Sequence, residues 1–266
     1  MKRTRRSSDA AIHHGLRAGV LLLALAGSVF AADRTVTLKT QPDLKPGLAA
    51  MPKIDAPTDE AEQRINTALR RLDGSARKAA SACRAEGGPQ SSWTRSIASP
   101  KRGPRYVSFV IVDDAFCGGA HPNVGTMSIV YDLTTGAPLD WTALLPASLT
   151  GTVALATGMD GTKMVTLASK TLQTLYLKGY RRKADPKREG DDAECREAVT
   201  ETGSSSPPAM MAWLDAKAGG LAVQFDLAHA VQACADTVVI PTATLRQEGA
   251  KSVLTDALDA AHGAPR

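Results

Sequence analysis

The stretch "RYVSFVIVDDAFCGGAHPNVGTMSIVYDL", residues 105–133, decides how the rest of the chain is interpreted. It starts with seven mostly β-type residues, Tyr106 to Val112, that are apolar on both faces, as in a central strand. It ends with "MSIVYDL", whose apolar residues alternate as in a strand with one buried face. Two aspartates, a cysteine, two glycines and a His-Pro pair lie between them. The sequence therefore predicts two strands joined by an elaborate loop, which is either a turn or a site.

The residues before this stretch predict a hairpin and a long helix. "SSWTRSIAS" leads through the turn "PKRGP" into the first strand, which is the spacing of a β-hairpin. Further upstream, Thr58 is a good N-cap, acidic residues follow it, and apolar residues then recur at helical spacing. We expect a helix over residues 59–83 with one apolar face.

The residues after it predict a second helix and a second hairpin. Residues 160–179 carry an apolar stripe that includes Met164, Leu172 and Tyr176. "MMAWLDA" and "LAVQFDLA" flank a glycine turn, "DTVVIP" is a short strand, and "KSVLTDALDAAH" is a C-terminal helix. Hairpins separated by helices predict an α+β fold. We expect an antiparallel sheet of five to six strands with the two main helices packed on it.

The first 31 residues have the pattern of a signal peptide. A basic segment precedes 15 uncharged residues, 18–32, and Val29-Phe30-Ala31 fits the small-residue rule for cleavage after Ala31. A membrane-spanning helix needs about 20 apolar residues, so an uncleaved membrane anchor is the weaker alternative. We therefore expect a periplasmic or secreted protein with no stable membrane span once the signal is removed.

The charge balance argues against a nucleic-acid partner. Residues 1–31 hold five basic residues and one acidic residue, so 27 basic and 26 acidic residues remain in the mature chain. The positive charge of the whole chain thus comes mainly from the leader, and no basic domain remains that would bind nucleic acid.

Composition divides the mature chain into three parts. Four prolines punctuate residues 32–57, which predicts a linker that could include one edge strand, "TVTLKT". Residues 58–248 form the α+β domain, and residues 249–266 form the C-terminal helix and a tail.

The four cysteines predict two disulfides, because an even number in an exported chain is typical of an oxidising compartment. Three pairings are possible. The hairpin turn near residues 101–102 brings Cys83 and Cys117 to the same open end, which leaves Cys195 for Cys234. We therefore favour Cys83–Cys117 and Cys195–Cys234.

Three segments together resemble a known domain family. "MPKIDAPTDEAEQRIN", "GGAHPNVGTMSIVYDLTTGAPLDWTALL" and "LAVQFDLAHAVQACADTVVIPTATL" occur in that order within residues 51–246. They are similar to the extracytoplasmic domains of the lysozyme-sensing anti-sigma factor RsiV and the N-terminal region of the peptidoglycan deacetylase PdaC. The middle segment, with its Gly-Gly-Ala-His turn, is the most specific of the three.

The resemblance implies an exported, non-catalytic binding protein of the RsiV-like ectodomain type. The expected partner is a lysozyme-type muramidase or peptidoglycan itself. Only 17 residues, a basic leader, precede the apolar run, and no room for a deacetylase domain remains after residue 246. We therefore expect neither an anti-sigma role nor a catalytic domain of that kind.

The loop after the first strand holds the candidate binding residues. Both glycines can adopt positive φ, and the proline forces His121 towards an extended conformation, which presents an imidazole on a loop. The same features also suit a rigid turn with no ligand. The predicted binding residues are Gly118, Gly119, His121, Pro122 and Asn123.

Other chemistries remain as alternatives. A cell-envelope hydrolase or deacetylase would use His121 with Asp113 or Asp114, and a structural envelope protein would associate only with itself. A metal site that adds His229, a Cys117–His121 nucleophile pair, and a glycosidase pair with Asp132 lack the required spacing or context. The tryptophans are expected in the core or in a sugar groove: Trp93, Trp141 and Trp213. We predict no catalytic residues, no metal site and no cofactor.

Overall fold

The computed structural model describes residues 34–180, 191–200, 207–227 and 229–263. The predicted signal segment, 1–31, lies outside them. The strands are β1 Leu38–Lys39, β2 Lys53–Ile54, β3 Ser92–Arg102, β4 Tyr106–Phe116, β5 Asn123–Asp132, β6 Thr152–Thr157, β7 Lys163–Ala168, β8 Met210–Asp215, β9 Gly220–Phe225 and β10 Val238–Pro241. The helices are α1 Glu60–Gly87, α2 Ala147–Thr150, α3 Lys170–Gly179, α4 Asp191–Thr200, α5 Thr242–Gln247 and α6 Ser252–His262. Short 3₁₀ turns cover Gly88–Gln90, Trp141–Ala143 and His229–Cys234.

Two antiparallel sheets face each other across the core. The first has three strands in the order β3-β4-β5, and the second has five in the order β10-β9-β8-β7-β6. Hydrogen bonds join the sheets: Ser128 Oγ on β5 donates to Ala212 O on β8, and Leu214 N donates to Ser108 Oγ on β4. The α+β class and a five-stranded antiparallel sheet are confirmed. The single sheet of the prediction is in fact two sheets and a two-stranded ribbon, β1-β2.

The first predicted helix is present and slightly longer, as α1. Its N-cap is Asp59 rather than Thr58, because the Asp59 side chain accepts from Glu62 N. The Glu62 carboxylate in turn accepts from Thr58 N, the residue before the N-cap, so the side chains of Asp59 and Glu62 together fix the start of the helix. The buried face of α1 carries Ile65, Leu69, Leu72 and Ala76, at the helical spacing read from the sequence.

The predicted helix over residues 160–179 is wrong in its first half. Residues 163–168 form β7, which pairs along its full length with β6, and only residues 170–179 are helical. The strand buries Met164 and Thr166 while Lys163 and Val165 are less buried, and Ser169 then caps α3 by accepting from Leu172 N. The apolar stripe therefore belongs to two elements, β7 and α3.

Residues 34–57 are part of the packed domain and not a linker. Five of their apolar residues are buried: Val36, Leu48, Ala50, Met51 and Ile54. Asn66 on α1 binds both backbone groups of Ile54, and Asp73 accepts from Met51 N. The C-terminal helix, α6, also buries Leu254 and Leu258, so it belongs to the same core.

The structure contains the disulfides Cys83–Cys117 and Cys195–Cys234, the pairing favoured from the sequence. The bonded residues are 34 and 39 positions apart, so each bridge closes a long loop. In the chain-entropy model, each loop of this length stabilises the fold by about 3–4 kcal/mol.

Candidate binding site

The five predicted binding residues lie together on one exposed loop. Residues 118–122 connect β4 to β5, and Asn123 is the first residue of β5. Gly118 and Gly119 have φ of 90° and 105°, which residues with a side chain rarely adopt. All five residues are exposed, so the loop stands at the rim of the three-stranded sheet.

The base of this loop is fixed to the end of α1. Cys117 bonds to Cys83 of α1, with the Cα atoms 4.6 Å apart. A Cβ at Gly87 would come within 2.5 Å of the Cys117 carbonyl carbon, so only glycine permits this approach. The disulfide and the glycine contact together hold the base of the loop against the end of α1.

A groove of about 350 Å³ runs between the end of α1 and the start of β3. One wall carries Cys83 and Arg84, and the other carries Ser92 and Trp93. Lys45 closes one end, where its Nζ donates to Ser81 Oγ at 3.0 Å. We call this feature the Trp93 groove. It combines a half-exposed indole, hydroxyl groups and two exposed cations next to the predicted loop.

Residues 44–49 complete the groove because two of them bond to Arg95 of β3. Arg95 N donates to Gly47 O, and Ala49 N donates to Arg95 O. Gly47 has a φ of 78°, which bends the chain so that Lys45 reaches the groove while Leu48 is buried beneath it. The proline-punctuated segment thus supplies one wall of the site.

A buried ion cluster fixes the orientation of Trp93. Its Nε1 donates to Asp113 Oδ1 at 2.9 Å. Asp113 also accepts two bonds from Arg95, Nε to Oδ1 and Nη2 to Oδ2, both at 2.7 Å. Arg95 Nη2 donates a further bond of 2.8 Å to Asp160 Oδ2. Because these contacts hold one edge of the indole, its orientation is set before any ligand arrives.

Two buried carboxylates offset the cost of burying the Arg95 charge. The Arg95 and Asp160 side chains are fully buried, and Asp113 is 1% exposed. Burial by itself would lower the pKa of Arg95, but the hydrogen bonds and charges of Asp113 and Asp160 outweigh it, so its pKa is raised. The cluster ties β3 and β4 to the turn between β6 and β7.

The alternative that uses Asp113 as a base meets a geometric obstacle. Both of its carboxylate oxygens already accept hydrogen bonds from Arg95, and Oδ1 accepts a third from Trp93. Asp114 is the next residue on β4 and points to the other, exposed face. The two aspartates do not end the strand, which continues to Phe116. In the part of the chain that the structure describes, no group of three or more His, Cys, Asp or Glu side chains could hold a metal ion.

The three tryptophans have different environments. Trp141 and Trp213 are each 4% exposed and lie in the core, whereas Trp93 lines the groove. Arg95, Arg84 and Lys45 were not anticipated as site residues. A signal for Arg95 was present, because it shares a strand face with Ile97 and an arginine on a buried face requires a partner.

Several solved structures match this chain, and the one described here is a distant likeness. A crystal structure of a DUF3298 family member from Bacteroides fragilis superposes with a TM-score of 0.42 and 15% sequence identity, covering 76% of this chain and 70% of that one. No protein-family model and no curated protein matches the chain. Among the described residues, no helix is long and apolar enough to cross a membrane.

Proposed function

We propose that this protein is an exported, non-catalytic binding protein that binds peptidoglycan through the Trp93 groove and the loop at residues 118–123. The observation that carries the proposal is the fixed, half-exposed indole of Trp93, which lines the same groove as Lys45 and Arg84. The two disulfides fit an extracellular domain. In this proposal the signal peptide is cleaved after Ala31.

The chemistry of the groove suits a glycan that carries carboxylates. The apolar face of a sugar ring packs on an aromatic ring, and a few polar groups then fix its orientation. In peptidoglycan, the sugars bear short peptides with carboxylate groups, and these would pair with the Lys45 ammonium and the Arg84 guanidinium. The hydroxyls of Ser91 and Ser92 at the groove are suited to hydrogen-bond sugar hydroxyls.

The hydrogen bonds that occupy the Asp113 carboxylate favour binding without turnover. A general base must be within hydrogen-bond reach of the proton that it abstracts. The Asp113 oxygens are instead occupied by Arg95 and Trp93, which makes the residue a support for the indole. The loop with His121 then contributes shape and polar contacts at the rim.

Co-sedimentation of the mature protein with purified peptidoglycan sacculi tests the proposal. Trp93→Ala is expected to weaken binding about tenfold or more, because buried aromatic contacts dominate such interfaces. Lys45→Glu is expected to weaken it as well. The matched control is Lys170→Glu, which makes the same charge change at the exposed start of α3 and should bind like the wild type. Equal binding by all four proteins would reject the groove as the site.

Two further arms separate the rival functions. Purified lysozyme replaces sacculi in the first arm, and binding to lysozyme alone would identify a muramidase partner instead. In the second arm, release of wall fragments is measured for the wild type and for His121→Ala. Fragment release that disappears with His121→Ala would identify an envelope hydrolase or deacetylase.

A further inference from the structure

The outer edge of β6 is an unprotected strand edge. β6 is the last strand of its sheet, and among the described residues its only strand partner is β7. Five of its six residues are exposed, including Val153 at 41% and Leu155 at 67%. An antiparallel edge strand presents free N–H and C=O groups, and proteins usually protect such edges with lysine, proline or a bulge. The sequence "TVALAT" contains neither residue, and its pairing with β7 is regular throughout.

We propose that β6 pairs antiparallel with β6 of a second copy of this chain and so forms a two-fold symmetric dimer. This surface shares no lining residue with the Trp93 groove, so the inference is independent of the proposed function. The dimer would join two five-stranded sheets into one continuous sheet of ten strands.

The side chains of β6 are complementary to themselves in one register. If Ala154 lies opposite Ala154 of the second copy, Val153 lies opposite Leu155 and Leu155 opposite Val153. Opposite residues share a face of the sheet, so each exposed apolar side chain gains an apolar neighbour. A shift by one residue along each strand would place Leu155 opposite itself but leave Val153 opposite a threonine.

Electrostatics favour the same partner. β6 carries no charge, so two copies meet without repulsion along the paired segment. The nearest cation is Lys163, which lies opposite Thr157 at the end of the strand. In the proposed register the two lysines flank opposite ends of the paired segment, about 20 Å apart at the rise of a β-strand. That separation exceeds the Debye length of about 8 Å at physiological ionic strength.

An apolar groove next to the edge extends the contact. It has a volume of about 320 Å³ and is lined by Leu155 and Val165 together with Ile129 and Trp141. In the proposed register, Val153 of the second copy would lie beside Leu155 at the mouth of this groove. Burial of apolar surface there adds to the backbone hydrogen bonds.

The sheet can pair in this way at only one of its ends. The opposite edge strand, β10, has four residues, ends in Pro241 and lies beside α3. Helix α3 is so close that a Cβ on Gly179 would come within 2.4 Å of Val238 Cγ1. With a single open edge, pairing closes at two copies and does not continue into a fibre.

Analytical ultracentrifugation of the mature wild-type protein tests the association. A concentration-dependent dimer is expected, and Leu155→Lys should weaken its formation about tenfold or more because the lysine would be placed in the apolar contact. The matched control is Val253→Lys on α6, a residue that is 37% exposed and lies outside the proposed paired segment, which should leave the dimer intact. A wild type that stays monomeric up to its solubility limit would overturn the proposal. A dimer that both lysine variants preserve would overturn it as well.

A cysteine pair tests the register. Cα atoms of directly opposite antiparallel residues are about 4.5–5.5 Å apart, which is within the range of disulfides. Ala154→Cys should therefore form a covalent dimer under mild oxidation, because the four native cysteines are already bonded. Ala156→Cys is the control, since the two residues at position 156 would be about 13 Å apart. Cross-linking of Ala156→Cys but not of Ala154→Cys would contradict this pairing.

Discussion

Strand β3 carries two buried cations with opposite surroundings. Arg95 contacts two buried carboxylates, and its pKa is raised. Lys101, six residues further on, is 1% exposed, and its Nζ donates to Gly103 O and Ala257 O at 3.1 and 2.7 Å. No ion pair involves Lys101 within the described residues, and burial lowers its pKa to about 8.

The buried cations at the two ends of β3 therefore affect the protein differently. At the groove end, Arg95 is paired with two carboxylates, and this compensated charge cluster supports the half-exposed indole of Trp93. At the far end, the Lys101 ammonium contacts α6 through a backbone carbonyl and has no carboxylate partner among the described residues, so burial of its charge costs stability and this cost depends on pH.

The largest expected effect follows from removing the compensated cation. Arg95→Leu leaves Asp113 and Asp160 buried without a counter-charge, which should reduce the free energy of unfolding by about 3–5 kcal/mol. Urea denaturation at pH 7 measures it. The control is Arg64→Leu, which breaks an exposed pair with Glu60 and should cost at most about 1 kcal/mol. Equal losses in the two variants would show that the cluster does not stabilise the fold.

Lys101 should make the free energy of unfolding depend on pH, with an effect of intermediate size. The pKa of Lys101 is about 8 in the folded protein and about 10.4 when unfolded. Between about pH 8 and about pH 10.4 the unfolded state binds more protons than the folded state. The free energy of unfolding therefore rises with pH, by about 3 kcal/mol in total. Denaturation series from pH 7 to 10.5 should show this rise in the wild type and not in Lys101→Met.

Buried tyrosines act in the opposite direction at the upper end of that range. Burial raises the pKa of Tyr131 to about 12, so the unfolded state loses a proton first and stability falls above about pH 10. Because this contribution is the same in wild type and Lys101→Met, the difference between the two curves isolates the lysine. Parallel curves would contradict a lowered lysine pKa.

The smallest effect concerns the link between the cluster and the groove. Trp93→Phe removes the hydrogen bond to Asp113 but keeps an aromatic ring, and it should reduce the free energy of unfolding by about 1 kcal/mol. A double-mutant cycle with Asp113→Asn measures whether the two residues act together. Additive losses would mean that the carboxylate does not support the indole.

The sequence predicted well those elements whose pattern is local. Helix α1, the two hairpins, β10 and α6 each have a clear period and clear turn residues. The prediction of one helix over residues 160–179 failed because Met164 and Val165 continue the apolar spacing of α3, although they belong to β7. β6 was missed because a strand exposed on both faces shows no alternation between buried and exposed residues.

The site was predicted only in part, for a different reason. The loop at residues 118–123 stands out because glycine and proline mark special backbone conformations. The Arg95–Asp113 pair spans 18 residues and the Arg95–Asp160 pair spans 65, so only the tertiary fold reveals that these charges meet. The same holds for Lys45, which reaches the groove because Gly47 and Ala49 bond to Arg95 of β3.

The most direct test of peptidoglycan binding at Trp93 is a titration of the ¹⁵N-labelled mature protein with soluble peptidoglycan fragments, observed at the indole N–H signals. The chain has three tryptophans, and Trp93→Phe identifies the signal of the one in the groove. We predict a saturable shift of the Trp93 signal, while the signals of the buried Trp141 and Trp213 stay in place. A Trp93 signal that does not move at saturating fragment concentration would contradict the account.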